Sequence, residues 1–169
     1  MTSSAEPTMT DQLVANAANY RERFAHADLP TAPQKHVALV VCMDSRIDVF
    51  SLFGLEIGEA HVIRNAGGIV TDDVIRSLVI SQRKLGTREV VLVHHTRCGM
   101  QTFRDDDLKD ELQAETGIRP AWSPESFTDV RENVRQSILR VTTNPFVPHR
   151  DRVRGFVYDV ETGGLEEVV

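Results

Sequence analysis

The stretch TDDVIRSLVISQRKLGTREVVLVH, Thr71 to His94, decides the fold. Thr71 followed by Asp72 and Asp73 reads as an N-cap with an acidic first turn, where a side-chain oxygen satisfies a free N–H and negative charge meets the positive end of the helix dipole. Val74, Ile75, Leu78, Val79 and Leu85 recur at helical spacing, and Gly86 stands where a helix stops. Glu89 to His94 is then apolar almost throughout, which predicts a strand covered on both faces, as in a parallel sheet. Val37 to Cys42 upstream has the same character. Strand, helix, strand is the βαβ unit, whose crossover is right-handed.

Working outward, His61-Val-Ile-Arg64 predicts a shorter strand, and Asp105 to Thr116 a charged helix ending at Gly117. Ser123-Pro124-Glu125 reads as the cap of a longer helix reaching about Val141. Val153 to Val160 and Leu165 to Val169, separated by Glu161-Thr-Gly-Gly164, predict a closing strand and hairpin. Toward the other end, Leu13, Ala17, Tyr20 and Phe24 give a helix over Asp11 to Ala27 a thin apolar stripe, and Pro30 and Pro33 break it. No repeat or domain boundary interrupts the pattern. The expected architecture is a flexible polar leader at 1–10, then one three-layer α/β domain at 11–169, with a central, mainly parallel β-sheet flanked by helices.

A chain of 169 residues suits one hydrophobic core. Its formal charge of −6, with arginines spread among carboxylates, argues against nucleic acid as a partner, because a phosphate-tracking surface needs clustered Lys and Arg. No apolar run approaches the roughly 20 residues that span a bilayer, and Met1 to Thr10 is polar and acidic, so neither membrane nor export is expected and a cytoplasmic location is. Two cysteines, Cys42 and Cys98, are too few for a disulfide framework. In a reducing compartment they point to metal or catalysis.

In open parallel sheets ligands bind outside the carboxyl ends of the strands. Cys42 closes the first long strand, and His95-Thr-Arg-Cys98-Gly99 follows the other. Zinc favours thiolate and imidazole, and a catalytic zinc keeps three protein ligands and one open position, a set that Cys42, His95 and Cys98 supply. Taken singly, each piece has a blander explanation: a strand-end Cys packs as a small hydrophobe, and His94 or His95 sits satisfied in a core. Cys42-Met-Asp44-Ser-Arg46 weighs against that, since it sets an anion and its counter-charge beside the thiol.

Cys42-Met-Asp-Ser-Arg46, His61-Val-Ile-Arg-Asn-Ala-Gly-Gly68 and His95-Thr-Arg-Cys-Gly99 resemble, in order and spacing, the three signature segments of the β-class carbonic anhydrases. The resemblance covers Val37 to Gly99 well and the flanking helix and closing strand more loosely. It implies zinc-dependent reversible hydration of carbon dioxide to bicarbonate and a proton by zinc-bound hydroxide, with one Zn2+ per chain. It also implies Cys42, His95 and Cys98 as ligands, selecting His95 over a structural His94 because the matching His stands three before the Cys. Asp44 and Arg46 resemble the family's catalytic dyad, in which Arg46 holds Asp44 away from the metal and Asp44 orients the hydroxide. In some members the matching Asp becomes a fourth ligand as pH falls, and Asp44 is expected to do so here. Gly99 lends a backbone N–H beside the substrate, with a plain turn glycine the equal alternative. Gly67 and Gly68 are expected as turn residues.

The resemblance further implies a homodimer as the basic unit, with the N-terminal helix across the neighbour, and leaves open a tetramer made of two such dimers. One departure is visible: Leu39 stands where members with a regulatory bicarbonate site carry Trp, and Trp122 is the only tryptophan, so such regulation is not expected even though Arg64 is present. Three competing readings remain. Cys98-x5-Arg104 matches the loop of cysteine phosphatases, with Asp44 as acid, yet it leaves Cys42 and His95 without purpose. A closed structural zinc site would make the Asp44–Arg46 pair unnecessary. Carbon disulfide or carbonyl sulfide would use the same ligands.

Overall fold

The computed structural model describes residues 6–169. Its centre is a five-stranded sheet built from β1 (Val37–Cys42), β2 (Ala60–Asn65), β3 (Glu89–His95), β4 (Val153–Tyr158) and β5 (Leu165–Val168). The spatial order is β2-β1-β3-β4-β5. The first four strands run parallel, and β5 returns antiparallel on β4 as the expected hairpin. The chain leaves β1 for β2 on one side and then crosses to β3 on the other, so the order switches at β1. The crevice at such a switch is where open α/β sheets bind ligands.

The helix α3 (Asp72–Leu85) forms where its caps demand. Thr71 accepts from the Val74 N–H, and Gly86 closes the helix at a left-handed φ of 76°. Its apolar stripe, Val74 and Leu78, packs with Val141 of α5 (Val130–Thr142) on Ala38, Val40, Val90 and Leu92. Leu39, Val41 and Val93 point to the other face, against Val49 and Leu55. This second layer is thin. It holds the five-residue α2 (Val49–Phe53), started by Asp48 and closed at Gly54, a helix too short for periodicity to announce. The two helical layers and the sheet make the expected single α/β domain.

Three boundaries differ from expectation. The helix α1 spans Met9–Arg21 rather than 11–27, because the Thr8 side chain and Asp11 make a reciprocal capping box that starts it early. Residues 1–5 of the expected leader lie outside the described residues, while Met9 and Thr10 are already helical. The Ser123-Pro-Glu125 segment caps nothing: the Asp105 carboxylate at the start of α4 (Asp105–Thr116) accepts from the N–H groups of Glu125 and Ser126 and from the Ser123 hydroxyl. Glu125 is left-handed there, so α5 begins instead at Asp129, whose carboxylate accepts from the Arg131 and Glu132 N–H groups.

Candidate functional site

β1 and β3 are neighbours, so Cys42 at the end of one lies beside His95 at the end of the other, and the turn after β3 brings Cys98 back to them. One donor atom from each of Cys42, His95 and Cys98 lies within 4.8 Å of the others, and all three residues are buried. The sulfurs are 4.0 Å apart, near enough to share a proton or a cation and not bonded to each other.

The His95 ring is oriented by its own neighbour. Nδ1 lies 2.8 Å from the Thr96 carbonyl, which can only accept, so Nδ1 carries the proton and Nε2 presents a lone pair. That Nε2 is buried and has no hydrogen-bond partner. An orphaned buried acceptor facing two thiols is costly unless something fills the space. A soft divalent cation fits it, since two thiolates and one imidazole are the donors zinc prefers.

The local electrostatics agree with this fit. Of the two thiols, Cys42 is the one that accepts. The Cys98 S–H donating to it pulls the Cys42 thiol down to about 4, with His95 helping against the cost of burial. Cys98 is pushed far up by the same contact and by burial. Burial acts to lower His95, but the adjacent Cys42 sulfur outweighs it and the net direction is up. Each group leans on a neighbour's proton where a metal ion would supply the positive charge.

Beside this set lies Asp44, its Oδ2 3.7 Å from His95 Nε2. Arg46 grips it in a fork, with Nε to Oδ1 at 2.9 Å and Nη2 to Oδ2 at 2.6 Å, and the Arg46 N–H also donates to Oδ1. The guanidinium holds the carboxyl well below the usual carboxylate range. Arg46 Nη2 donates in addition to the Arg97 carbonyl at 3.1 Å, tying the loop after β1 to the turn between His95 and Cys98. Arg97 is left-handed at a φ of 53°, an uncommon state for a residue with a side chain. No residue-type signal announces that conformation in the sequence, and Arg97 is absent from the sequence-based candidates.

His94 points the other way along the strand. It is fully buried, its ring 6.1 Å from that of Phe127, and burial pushes it down to about 4, so it is neutral. Gly99 opens a 3-10 turn, which leaves its N–H free of the turn's own ladder, and a Cβ added there would meet nothing within 4 Å. Gly67 and Gly68 form the turn after β2 at φ values of 81° and 70°. The phosphatase loop does not form: Cys98 belongs to the cluster above, and Arg104 lines a separate cleft with Asp105, Asp106 and Asp129, whose charge repels phosphate.

Comparison with known proteins bears on this geometry. The family model described as carbonic anhydrase matches residues 37–123, from β1 past the Cys98 turn. Beta-carbonic anhydrase 1 of Mycobacterium tuberculosis is 60% identical over 161 residues, covering 95% of this chain and 98% of that protein. A carbon disulfide hydrolase of Saccharolobus solfataricus is 30% identical over 94% of this chain and 90% of that protein. Among solved structures, the carbonic anhydrase of Streptococcus mutans superposes with a TM-score of 0.89 at 41% identity, covering 96% of this chain and 99% of that one. With the family model, the 60% identity and the shared fold in agreement, this chain belongs to the β-carbonic anhydrases and is an enzyme of that family.

Proposed function

We propose that this chain carries out the reversible hydration of carbon dioxide to bicarbonate and a proton, with one Zn2+ held by Cys42, His95 and Cys98. The observation that carries the reading is the bare, buried Nε2 of His95 facing two unbonded thiols, with a restrained carboxylate 3.7 Å away. Zinc in that place supplies the Lewis acidity that makes water nucleophilic near neutral pH. Asp44 is the catalytic acceptor: Arg46 occupies Oδ1 twice and Oδ2 once, which leaves Oδ2 a lone pair beside His95 Nε2 with which to accept a hydrogen bond from the attacking water and orient it. Arg46 keeps Asp44 ionised and off the metal. The free N–H of Gly99 and the open space over its Cα suit a small substrate oxygen.

Were Arg46 to release it, the Asp44 carboxylate, 3.7 Å from His95 Nε2, would be the group to serve as a fourth ligand to a bound zinc and close the site. A cobalt-substituted protein whose visible spectrum stays that of an open site throughout the acidic range counts against this. We also infer a homodimer. Every residue from Met9 to Asp28 is exposed, Leu13, Val14, Tyr20 and Phe24 among them, which suits a helix lying on a partner subunit. A cytoplasmic location fits the two free thiols, and no helix of the described residues is long and apolar enough to cross a membrane.

The deciding experiment is stopped-flow carbon dioxide hydration on zinc-loaded protein above neutral pH, with Cys42→Ser as control and carbon disulfide as parallel substrate. Rapid hydration that the control lacks is expected. A zinc-replete wild type that turns over carbon disulfide alone reassigns the substrate, and one that turns over neither removes the catalytic reading.

A further inference from the structure

We infer that Arg64 is a positioning residue for Asp44, acting through the backbone of the loop that carries it; this rests on the reading of Asp44 and Arg46 as the catalytic pair. Arg64 stands at the end of β2, level with Val41 on the neighbouring β1. Its side chain reaches back under the loop from Cys42 to Ile47 and donates to three of its carbonyls. Nε reaches that of Cys42 at 2.9 Å, Nη2 that of Asp44 at 2.6 Å and Nη1 that of Ile47 at 3.2 Å.

Three carbonyls aimed at one point repel each other unless a donor sits among them. A guanidinium supplies five N–H groups on three nitrogens in one rigid plane, so each nitrogen can meet one carbonyl, with a full positive charge to strengthen each bond. No carboxylate pairs with Arg64 among the described residues, so its charge is spent on the loop alone. Within the loop Ser45 and Arg46 are exposed, so few of its other groups meet the core. Beyond the carbonyls it keeps the bond from the Met43 N–H to Asn65 at 2.8 Å, a long turn bond from Ile47 to Asp44 at 3.2 Å, and the Arg46 side chain's bonds to Asp44 and to the Arg97 carbonyl.

The three anchored residues are not arbitrary. Cys42 carries one sulfur of the candidate metal set, and Asp44 carries the carboxylate beside it. Ile47 is buried in the core at 2% exposure. Fixing the Asp44 carbonyl, with those of Cys42 before it and Ile47 after it, fixes the root of the Asp44 side chain, and Arg46 fixes the tip. The two arginines thereby divide the work: Arg46 holds the carboxylate, and Arg64 holds the peptide from which it projects. Lysine cannot replace the second role, since an ammonium on a flexible stem has no planar fork with which to set three carbonyls at once.

The test uses zinc-loaded full-length Arg64→Ala and Arg64→Lys, with Asp44→Asn alongside, and reads metal content, kcat and KM separately, and the visible spectrum of the cobalt-substituted proteins. For both Arg64 variants kcat is expected to fall about 10- to 100-fold, the effect of a displacement near 1 Å at a reacting group, with zinc retained and KM little changed. The cobalt spectrum of Arg64→Ala should differ from wild type, and added guanidinium ion should restore both spectrum and rate in part. Wild-type kcat in zinc-replete Arg64→Lys, or in Arg64→Ala, overturns the proposal. So does loss of zinc and fold in both variants, which would make Arg64 a residue of stability alone. Should only Arg64→Ala fail to fold, Arg64→Lys decides. If Asp44→Asn keeps wild-type kcat, the catalytic reading of Asp44 itself falls; if it loses rate while the Arg64 variants do not, only the present inference falls.

Discussion

A single hydrogen atom separates a working strand end from a blocked one at Gly68. A Cβ at this position would stand 2.8 Å from the Cys42 backbone N and 2.9 Å from the Val93 carbonyl, both in the sheet, where neither can move aside. Its φ of 70° adds a backbone penalty for any side chain. Gly68→Ala is therefore expected to cost about 2–4 kcal/mol, the sum of a left-handed residue and an overpacked contact, and to loosen Cys42. Chemical denaturation with zinc titration in parallel checks it, and an unchanged midpoint would refute the steric account. Much of this scale is legible in the sequence. Cys42, His95 and Cys98 are recoverable because metal chemistry is written in side-chain types, although choosing His95 over His94 needs the family pattern. Arg64 and Arg97 act through carbonyls, which every residue possesses, so no letter of the sequence marks what they do.

Among the elements, the segment between α4 and α5 hangs on the carboxylate of Asp105. Burial acts to raise its pKa, but the donations from Ser126, Ser123 and Glu125 outweigh that, and the net direction is down from 3.8. A carboxyl whose folded value is depressed contributes stability above its unfolded value and loses it as pH falls through the folded one. The contribution is thus complete above about pH 4 and disappears in more acidic solution. Asp105→Asn should cost roughly 1–2 kcal/mol at neutral pH and cost nothing extra once the wild-type carboxyl is protonated. Amide hydrogen exchange at Glu125 and Ser126 reports it directly; protection that survives the substitution would show that the carboxylate is incidental. Here too lies the reason α5 was expected to start too early. Ser123-Pro-Glu125 has the letters of a helix start, but a residue twenty positions upstream had already claimed its N–H groups. By contrast α3 and α4 end where Gly86 and Gly117 predict, because those caps are local.

At the scale of the molecule, α1 lies outside the account that the rest of the chain satisfies. The helix has a complete capping box and no buried residue, so local bonds alone hold its first turn. A helix of 13 residues is marginal on its own in water. If the chain forms the dimer proposed above, removing residues 1–21 is expected to leave a monomer in sedimentation equilibrium with the α/β domain folded. A truncated chain that keeps the mass of the intact one would place the subunit contact elsewhere.

The two sulfurs of the candidate metal set stand 56 positions apart in the chain, and nearly everything that makes the fold recognisable, β2, α3 and β3, lies between them. An ion gripping both would act as a removable crosslink, withholding from the unfolded chain the freedom of a long loop and from the folded one the chance to part β1 from β3. Catalytic competence and mechanical integrity would then be lost in one event, so that starving the protein of metal yields a looser molecule rather than an idle one.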